Sequence, residues 1–166
     1  LAMIQKLQVT FEQKQLPKFF KLWIFSNEPR QLLHMDFVRG NLLFAKARPN
    51  DFWSEGKVRL SGIIDFEKVA TGPVVFDVAR TLAFLLVDCK YKSAEQVEKY
   101  FITSGYYKRG GGKQLNYAKL NSLVSFFLIH DFFAFLHHNP YESLQDNEHY
   151  IRTRNLLLDR KLLVAV

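Results

Sequence analysis

The sequence feature that most constrains the fold is a stretch in the last third of the chain that is apolar almost all the way round a helix. From Phe126 to Phe135, only His130 and Asp131 interrupt a run of aromatic and aliphatic residues. A helix without a polar face has to be buried on all sides, so the sequence predicts a central helix over about residues 115–136. Because its most apolar part is shorter than the roughly 20 residues that cross a bilayer, we expect a soluble protein with no membrane partner.

Length, cysteine content and charge limit the class of protein. A chain of 166 residues corresponds to a single domain. Its one cysteine, Cys89, excludes an internal disulfide framework and a cluster of thiolate metal ligands, which favours a reducing, cytoplasmic location. The net charge of +7 permits anionic ligands. The basic residues are spread from Lys6 to Lys161 rather than clustered among aromatics, which argues against nucleic-acid binding.

The first 65 residues combine helical and strand patterns. Apolar residues at helical spacing predict two helices within residues 1–28, with a break at Pro17. The segment 47–57 is rich in turn-forming residues and predicts the connection of a long hairpin. Strands are predicted at three short apolar runs, residues 32–33, 42–44 and 58–64.

The chain from Val75 onward carries a helical pattern. A capping box at Ser93 opens the second helix of this region, and Gly105 together with the glycine run 110–112 is predicted to end it. The dipeptide at 139–140, Asn-Pro, ends the central helix, and a last amphipathic helix follows. The predicted fold class is α+β, mostly helical, with a small β-hairpin near its start.

Three oxygen-bearing side chains lie where the predicted strands end. Asp36 follows the first strand, Asn41 comes five residues later, and Asp65 follows the last strand. Such a set lets one carboxylate orient and deprotonate an attacking hydroxyl, while a carboxamide and a second carboxylate hold magnesium ions against a triphosphate. The sequence therefore predicts one cleft that is suited to phosphoryl transfer.

Two sequence blocks carry a family resemblance. His34, Asp36 and Asn41 meet the pattern H-x-D-x-x-x-x-N, and the second block consists of Gly62–Glu67, Gly72-Pro73 and Phe76–Ala79. In this order and spacing, the blocks resemble the catalytic and metal-binding segments of the aminoglycoside phosphotransferase and choline kinase superfamily, whose members are relatives of the protein kinases. The resemblance is strong over residues 31–90 and beyond them is limited to a run of helices.

The resemblance implies a role for each of these residues. Asp36 would be the catalytic base, and Asn41 and Asp65 would bind Mg²⁺ and, through it, the phosphates of ATP. His34 and Asp77 would support the loop that carries Asp36. The implied protein is an ATP- and Mg²⁺-dependent phosphotransferase that acts on the hydroxyl of a small molecule, as aminoglycoside, choline and homoserine kinases do.

The first block departs from the family pattern at three positions. Met35 stands where a glycine is usual, and Val38 stands where the family commonly has a histidine. Arg39 is unusual and faces either a phosphate or solvent. These departures leave a second hypothesis open, a non-catalytic kinase-like binding module, although the three intact oxygen ligands favour the enzyme.

A kinase of this type also needs an N-terminal lobe with a strand-borne lysine that binds the α- and β-phosphates. The residues before His34 show no such pattern. We therefore expect residues 1–166 to be the C-terminal catalytic lobe, which partners with an N-terminal lobe of the same protein and has no kinase activity alone. Without that neighbour, Phe19, Phe20 and Trp23 would expose an apolar surface that favours self-association.

Other charged and histidine side chains are weaker candidates. The histidines of the central helix, His130, His137 and His138, have no carboxylate at ligand spacing, which argues against a metal site. Asp131 either lies in the substrate cleft, as the resemblance to kinases whose helices line the acceptor pocket implies, or is a carboxylate on the helix surface or in a buried pair. Glu67 resembles choline-kinase-like sequences, but one residue does not choose among acceptors.

Overall fold

The computed structural model describes residues 27–48, 54–55, 58–108, 115–139 and 144–162. The two helices predicted within residues 1–28 fall almost entirely outside the described residues, and residues 27–28 are not helical. The side chains of Phe19, Phe20 and Trp23, on which the predicted apolar surface depends, and the glycine run 110–112 lie outside them as well.

Within the described residues, five short strands form two antiparallel sheets. One sheet pairs β1 (Arg30–Leu33) with β5 (Ala70–Pro73), and the other has the order β2 (Leu42–Lys46), β4 (Val58–Ile63), β3 (Ser54–Glu55). β1, β2 and β4 confirm the three predicted strands, and β2 and β4 form the predicted hairpin. The prediction of a single hairpin is incomplete, because β1 pairs with β5 in a separate sheet.

β5 is a strand that the sequence does not predict. Three of its four residues, Ala70, Gly72 and Pro73, have low strand propensity, and the segment becomes a strand by pairing with β1. The side chain of Leu33 on β1 approaches Gly72 so closely that a Cβ on Gly72 would lie 3.0 Å from Leu33 Cδ1. This close approach favours glycine at position 72.

Among the described residues, four α-helices and one π-helix follow the sheets. The bounds of the α-helices are Val75–Asp88 for α1, Ala94–Glu98 for α2, Tyr117–His138 for α3 and Glu148–Asp159 for α4. Ser93 caps α2 in the predicted manner: its side chain accepts from Gln96 N at 3.2 Å, and its own N–H donates to Gln96 Oε1 at 3.1 Å. The prediction that Gly105 ends this helix is wrong, because α2 continues into a π-helix over Lys99–Tyr107 that runs through Gly105.

The central helix predicted from the apolar stretch is α3. Val124 and Leu128 of α3 are buried together with Ala79 and Leu82 of α1 and Leu157 of α4. α3 has 22 residues and is longer than the apolar stretch suggests. With a mean hydropathy of 1.4, it would be able to cross a membrane by length and composition alone. α3 packs against both α1 and α4, and 39% of its most apolar window is buried against the described residues.

α1 links the sheets to this helical core. It begins two residues after β5, and this short connection places Asp77 in its first turn. At the other end of α1, Arg152 of α4 donates from Nε to Val87 O at 2.7 Å and from Nη2 to Cys89 O at 2.9 Å. These bonds satisfy carbonyls that a helix end leaves unpaired, so α4 is held against the loop that follows α1.

Candidate active site

The catalytic loop, defined here as residues 34–41, is tied to the first turn of α1 by Asp77. His34 donates its backbone N–H to Asp77 Oδ2 at 2.9 Å, and Met35 donates its N–H to Asp77 Oδ1 at 2.6 Å. Met35 has a φ of 63°, a backbone conformation that residues other than glycine adopt at a cost. The two bonds to Asp77 hold the loop in this conformation.

We expect Asp77→Ala to destabilise the protein, because it leaves two N–H groups of the loop without an acceptor. Each such group costs about 1–3 kcal/mol when it is shielded from water. Thermal melting measures the loss, and Asp77→Asn, which keeps one acceptor oxygen, should melt between Asp77→Ala and the wild type. The matched control is Asp159→Ala, at an exposed position near the end of α4. If Asp77→Ala loses activity but melts at the wild-type temperature, Asp77 takes part in the reaction rather than in supporting the loop.

His34 connects the catalytic loop to the segment that carries Asp65. Its Nδ1 accepts the backbone N–H of Asp36 at 3.3 Å, which leaves Nε2 to carry the proton and donate to Ile64 O at 3.1 Å. The ring lies between those of Phe37 and Phe66, with centroid distances of 4.7 and 4.8 Å. Because backbone groups engage both ring nitrogens, the role of His34 is structural.

Asp36 is almost buried, with 6% of its surface exposed, and one of its carboxylate oxygens receives two donors. Asn41 donates from Nδ2 to Asp36 Oδ2 at 3.2 Å, and Lys68 donates from Nζ to the same oxygen at 3.0 Å. Asn41 Nδ2 also donates to the backbone oxygen of Asp36 at 3.0 Å. The structure thus brings Asp36 and Asn41 of the first block into direct contact.

Lys68 is the site residue that the sequence does not reveal. It lies three positions after Asp65 in a turn closed by the bond from Val69 N to Phe66 O at 3.3 Å. The only indication of Lys68 in the sequence is that a basic residue lies close to the second block. No local pattern relates that residue to Asp36, which is 32 positions away.

Asp65 and Asn41 are positioned by the bond from Ile64 N to Asn41 O at 3.0 Å. Asp65 itself is exposed and has a φ of 66°, a conformation that Asp tolerates better than most residues. Because the amide nitrogen of Asn41 is engaged by Asp36, its amide oxygen remains to bind a cation. Carboxylate and amide oxygens suit Mg²⁺.

The chemistry of these donors fits a metal that is held jointly with a ligand. Within the described residues, no group of three or more His, Cys, Asp or Glu side chains would bind a metal by itself. Mg²⁺ is commonly bound through one or two protein oxygens, with substrate phosphates and water completing its coordination. Asn41 and Asp65 are the residues that would hold it here.

Asp131 forms an ion pair with Arg80. Its Oδ1 accepts from Arg80 at 2.6 Å and lies 3.0 Å from His130 Nδ1. The Arg80 guanidinium in turn lies over the rings of Phe84 and Phe127, at 4.5 and 5.1 Å from their centroids. Of the two interpretations that the sequence left open, the structure therefore supports the ion pair.

A cavity of about 780 Å³ opens beside the catalytic loop. It is lined by residues 37–39 of the loop, by residues between 84 and 91 at the end of α1, and by residues between 147 and 152 at the start of α4. Its charged side chains have both signs: Arg39, Asp88, Lys90, Glu148 and Arg152. The hydrogen bond from Lys90 lowers the pKa of Glu148 below its usual value.

Comparison with known proteins identifies one family. The profile described as phosphotransferase enzyme family matches residues 3–111, a range that includes the catalytic loop, Asp65, Lys68 and Asp77. No curated protein and no solved structure matches the chain significantly. The family match covers more than half of the chain, and the chain therefore belongs to the phosphotransferase enzyme family, the superfamily of the aminoglycoside phosphotransferases and choline kinases.

Proposed function

We propose that this chain is the catalytic lobe of a kinase-like protein that transfers the γ-phosphate of ATP to the hydroxyl of a small molecule in a Mg²⁺-dependent reaction. The observation that carries the proposal is the contact between Asp36 and Asn41. It joins a nearly buried carboxylate to an amide whose oxygen remains to bind a cation. Membership of a phosphotransferase family supports the reaction class.

The chain's own residues divide the work of the transfer. Asp36 orients the acceptor hydroxyl and takes its proton as the hydroxyl oxygen forms a bond to the γ-phosphorus and the bond from that phosphorus to ADP breaks. Asn41 and Asp65 hold Mg²⁺, which, when bound, neutralises charge on the phosphates. Asp77 and His34 keep the loop in one conformation, so that Asp36 is in place before the substrate arrives.

The cavity beside the catalytic loop is the proposed acceptor site. Three of its lining residues, 37–39, belong to the catalytic loop and directly follow Asp36, which supports an acceptor site on this side of the loop. Its charged groups of both signs favour a polar acceptor of the kind used by aminoglycoside, choline or homoserine kinases. We expect Asp131 to contribute indirectly at most, because it is engaged with Arg80.

A non-catalytic binding module is the less favoured alternative, because such a module does not require Asp36, Asn41 and Asp65 together. We also propose that residues 1–166 form a C-terminal lobe whose nucleotide contacts are completed by an N-terminal lobe, so that the chain alone is inactive and prone to self-association. A cytoplasmic location, and the absence of membrane and nucleic-acid partners, remain predictions.

The direct test is acceptor-dependent release of ADP by the protein that contains this lobe together with its nucleotide-binding lobe. The protein is incubated with ATP, Mg²⁺ and a panel of small hydroxyl compounds that includes amino alcohols, hydroxy amino acids, sugars and aminoglycosides. The proposal expects at least one compound to stimulate ADP release, and chelation of Mg²⁺ to abolish the stimulation. Binding of panel compounds without any transfer would favour the binding module.

We expect Asp88→Trp to raise the acceptor KM by about tenfold or more, with little change in the KM for ATP. Asp88 is exposed on the cavity wall, so the larger side chain reduces the space for the acceptor without disturbing the core. Asp159→Trp, at an exposed position of α4 that does not line this cavity, is the control. An unchanged acceptor KM in Asp88→Trp would locate the acceptor elsewhere.

A further inference from the structure

Lys68 joins the two halves of the site. It lies in the turn after Asp65, and its Nζ is 3.0 Å from Oδ2 of Asp36 on the catalytic loop. Of the residues that the structure describes, Lys68 is the one cation within ion-pair distance of Asp36. The ion pair therefore spans the gap between the catalytic base and the segment that holds the proposed metal ligand.

The exposures of the two side chains differ in a way that matters for the reaction. The Asp36 side chain is 8% exposed, whereas that of Lys68 is 49% exposed. A nearly buried carboxylate needs hydrogen-bond donors to remain charged. Asn41 and Lys68 each donate one hydrogen bond to Oδ2 of Asp36. This arrangement restrains the carboxylate through Oδ2. The exposed ammonium can meanwhile approach an incoming phosphate.

We infer that Lys68 is a positioning residue for phosphoryl transfer, an inference that rests on the proposed function. It holds the Asp36 carboxylate in the orientation that accepts the hydroxyl proton. Its positive charge also offsets the repulsion between Asp36 and the γ-phosphate. Lys68 takes no part in the proton transfer, because the proton of the acceptor hydroxyl goes to Asp36. Val38, which lies on the same loop two positions after Asp36, is apolar and therefore cannot supply this positive charge.

The kinetic test compares Lys68→Met and Lys68→Arg in the protein with both lobes. Loss of a residue that orients a reacting group commonly costs about 10–100-fold, so we expect kcat of Lys68→Met to fall by that factor. The KM for the acceptor should change less than about twofold, because the contact with Asp36 acts on the transition state rather than on binding. The KM for ATP should rise, because the charge that offsets the repulsion of the γ-phosphate is lost. Lys68→Arg should recover most of the loss, since guanidinium also pairs with a carboxylate.

The control is Lys92→Met, which removes an exposed lysine that lies over Tyr100, 4.9 Å from the ring centroid. It should leave kcat unchanged. The inference is overturned if Lys68→Met has the same kcat as Lys92→Met, or if it changes only KM, because Lys68 then does not position the base. The proposed function would stand in either case. If the wild-type protein transfers no phosphate to any acceptor, both the inference and the proposed function fail.

Thermal melting tests the contact without any turnover. Asp36→Asn, Lys68→Met and the double variant form a cycle that isolates the charge-dependent part of the interaction between the two side chains, because asparagine keeps an acceptor oxygen but loses the charge. We expect Lys68→Met to shift the melting temperature by different amounts in the wild-type and Asp36→Asn backgrounds. Equal shifts in the two backgrounds would mean that the ion pair does not form in solution, and this outcome would overturn the inference whatever the kinetics show.

Discussion

Asp36→Asn will lower kcat for phosphoryl transfer by about 10²–10⁴-fold, with little change in the KM for ATP. Asparagine has nearly the same shape as aspartate and retains an oxygen that can accept from Lys68. It cannot take the proton of the acceptor hydroxyl. The loop should remain folded, because its bonds to Asp77 are made by the backbone of His34 and Met35.

Steady-state kinetics with saturating acceptor and Mg²⁺ measure this loss, and melting curves establish that the variant is folded. Asp159→Asn, on the exposed face of α4, removes a carboxylate of the same type outside the site and should retain full activity. Turnover of Asp36→Asn at the wild-type rate would show that another group accepts the proton, and the assignment of Asp36 as the base would be wrong.

The second large effect is expected from Asp65→Asn, which should weaken the Mg²⁺-dependent part of nucleotide binding by about 10–100-fold. The substitution removes the negative charge that Mg²⁺ requires in this position. Asparagine is preferable to alanine here, because Asp65 has a φ of 66° and asparagine tolerates this conformation. Since the side chain is exposed, we expect no loss of stability.

Calorimetric titration of the full-length protein with ADP, in the presence and absence of Mg²⁺, separates the metal contribution from the rest of the binding energy. Without Mg²⁺, the variant and the wild type should bind ADP equally. With Mg²⁺, only the wild type should gain affinity. An equal gain in both proteins would exclude Asp65 as a metal ligand and transfer that role to other oxygens.

The features that the sequence determined by itself are those encoded over short distances. The capping box of Ser93 involves residues three apart and appears as predicted. The five-residue spacing from Asp36 to Asn41 is short enough for one loop to bring them into contact. The apolar surface of α3 predicted a helix packed in the core, and Val124, Leu128 and Phe132 are buried there. The prediction of burial on all sides is only partly met, because Phe133 and Phe135 are half-buried among the described residues.

Tertiary structure alone decided the features that depend on distant partners. Ala70–Pro73 is a strand because β1, about 40 positions earlier, supplies its hydrogen bonds. Lys68 reaches Asp36 because two bonds bring the loops together: His34 Nε2 donates to Ile64 O, and Ile64 N–H donates to Asn41 O. The cavity exists because Arg152 holds α4 against the end of α1. Local propensity and spacing contain no information about such pairings, since the free energy that selects them comes from contacts formed only when the whole chain has folded.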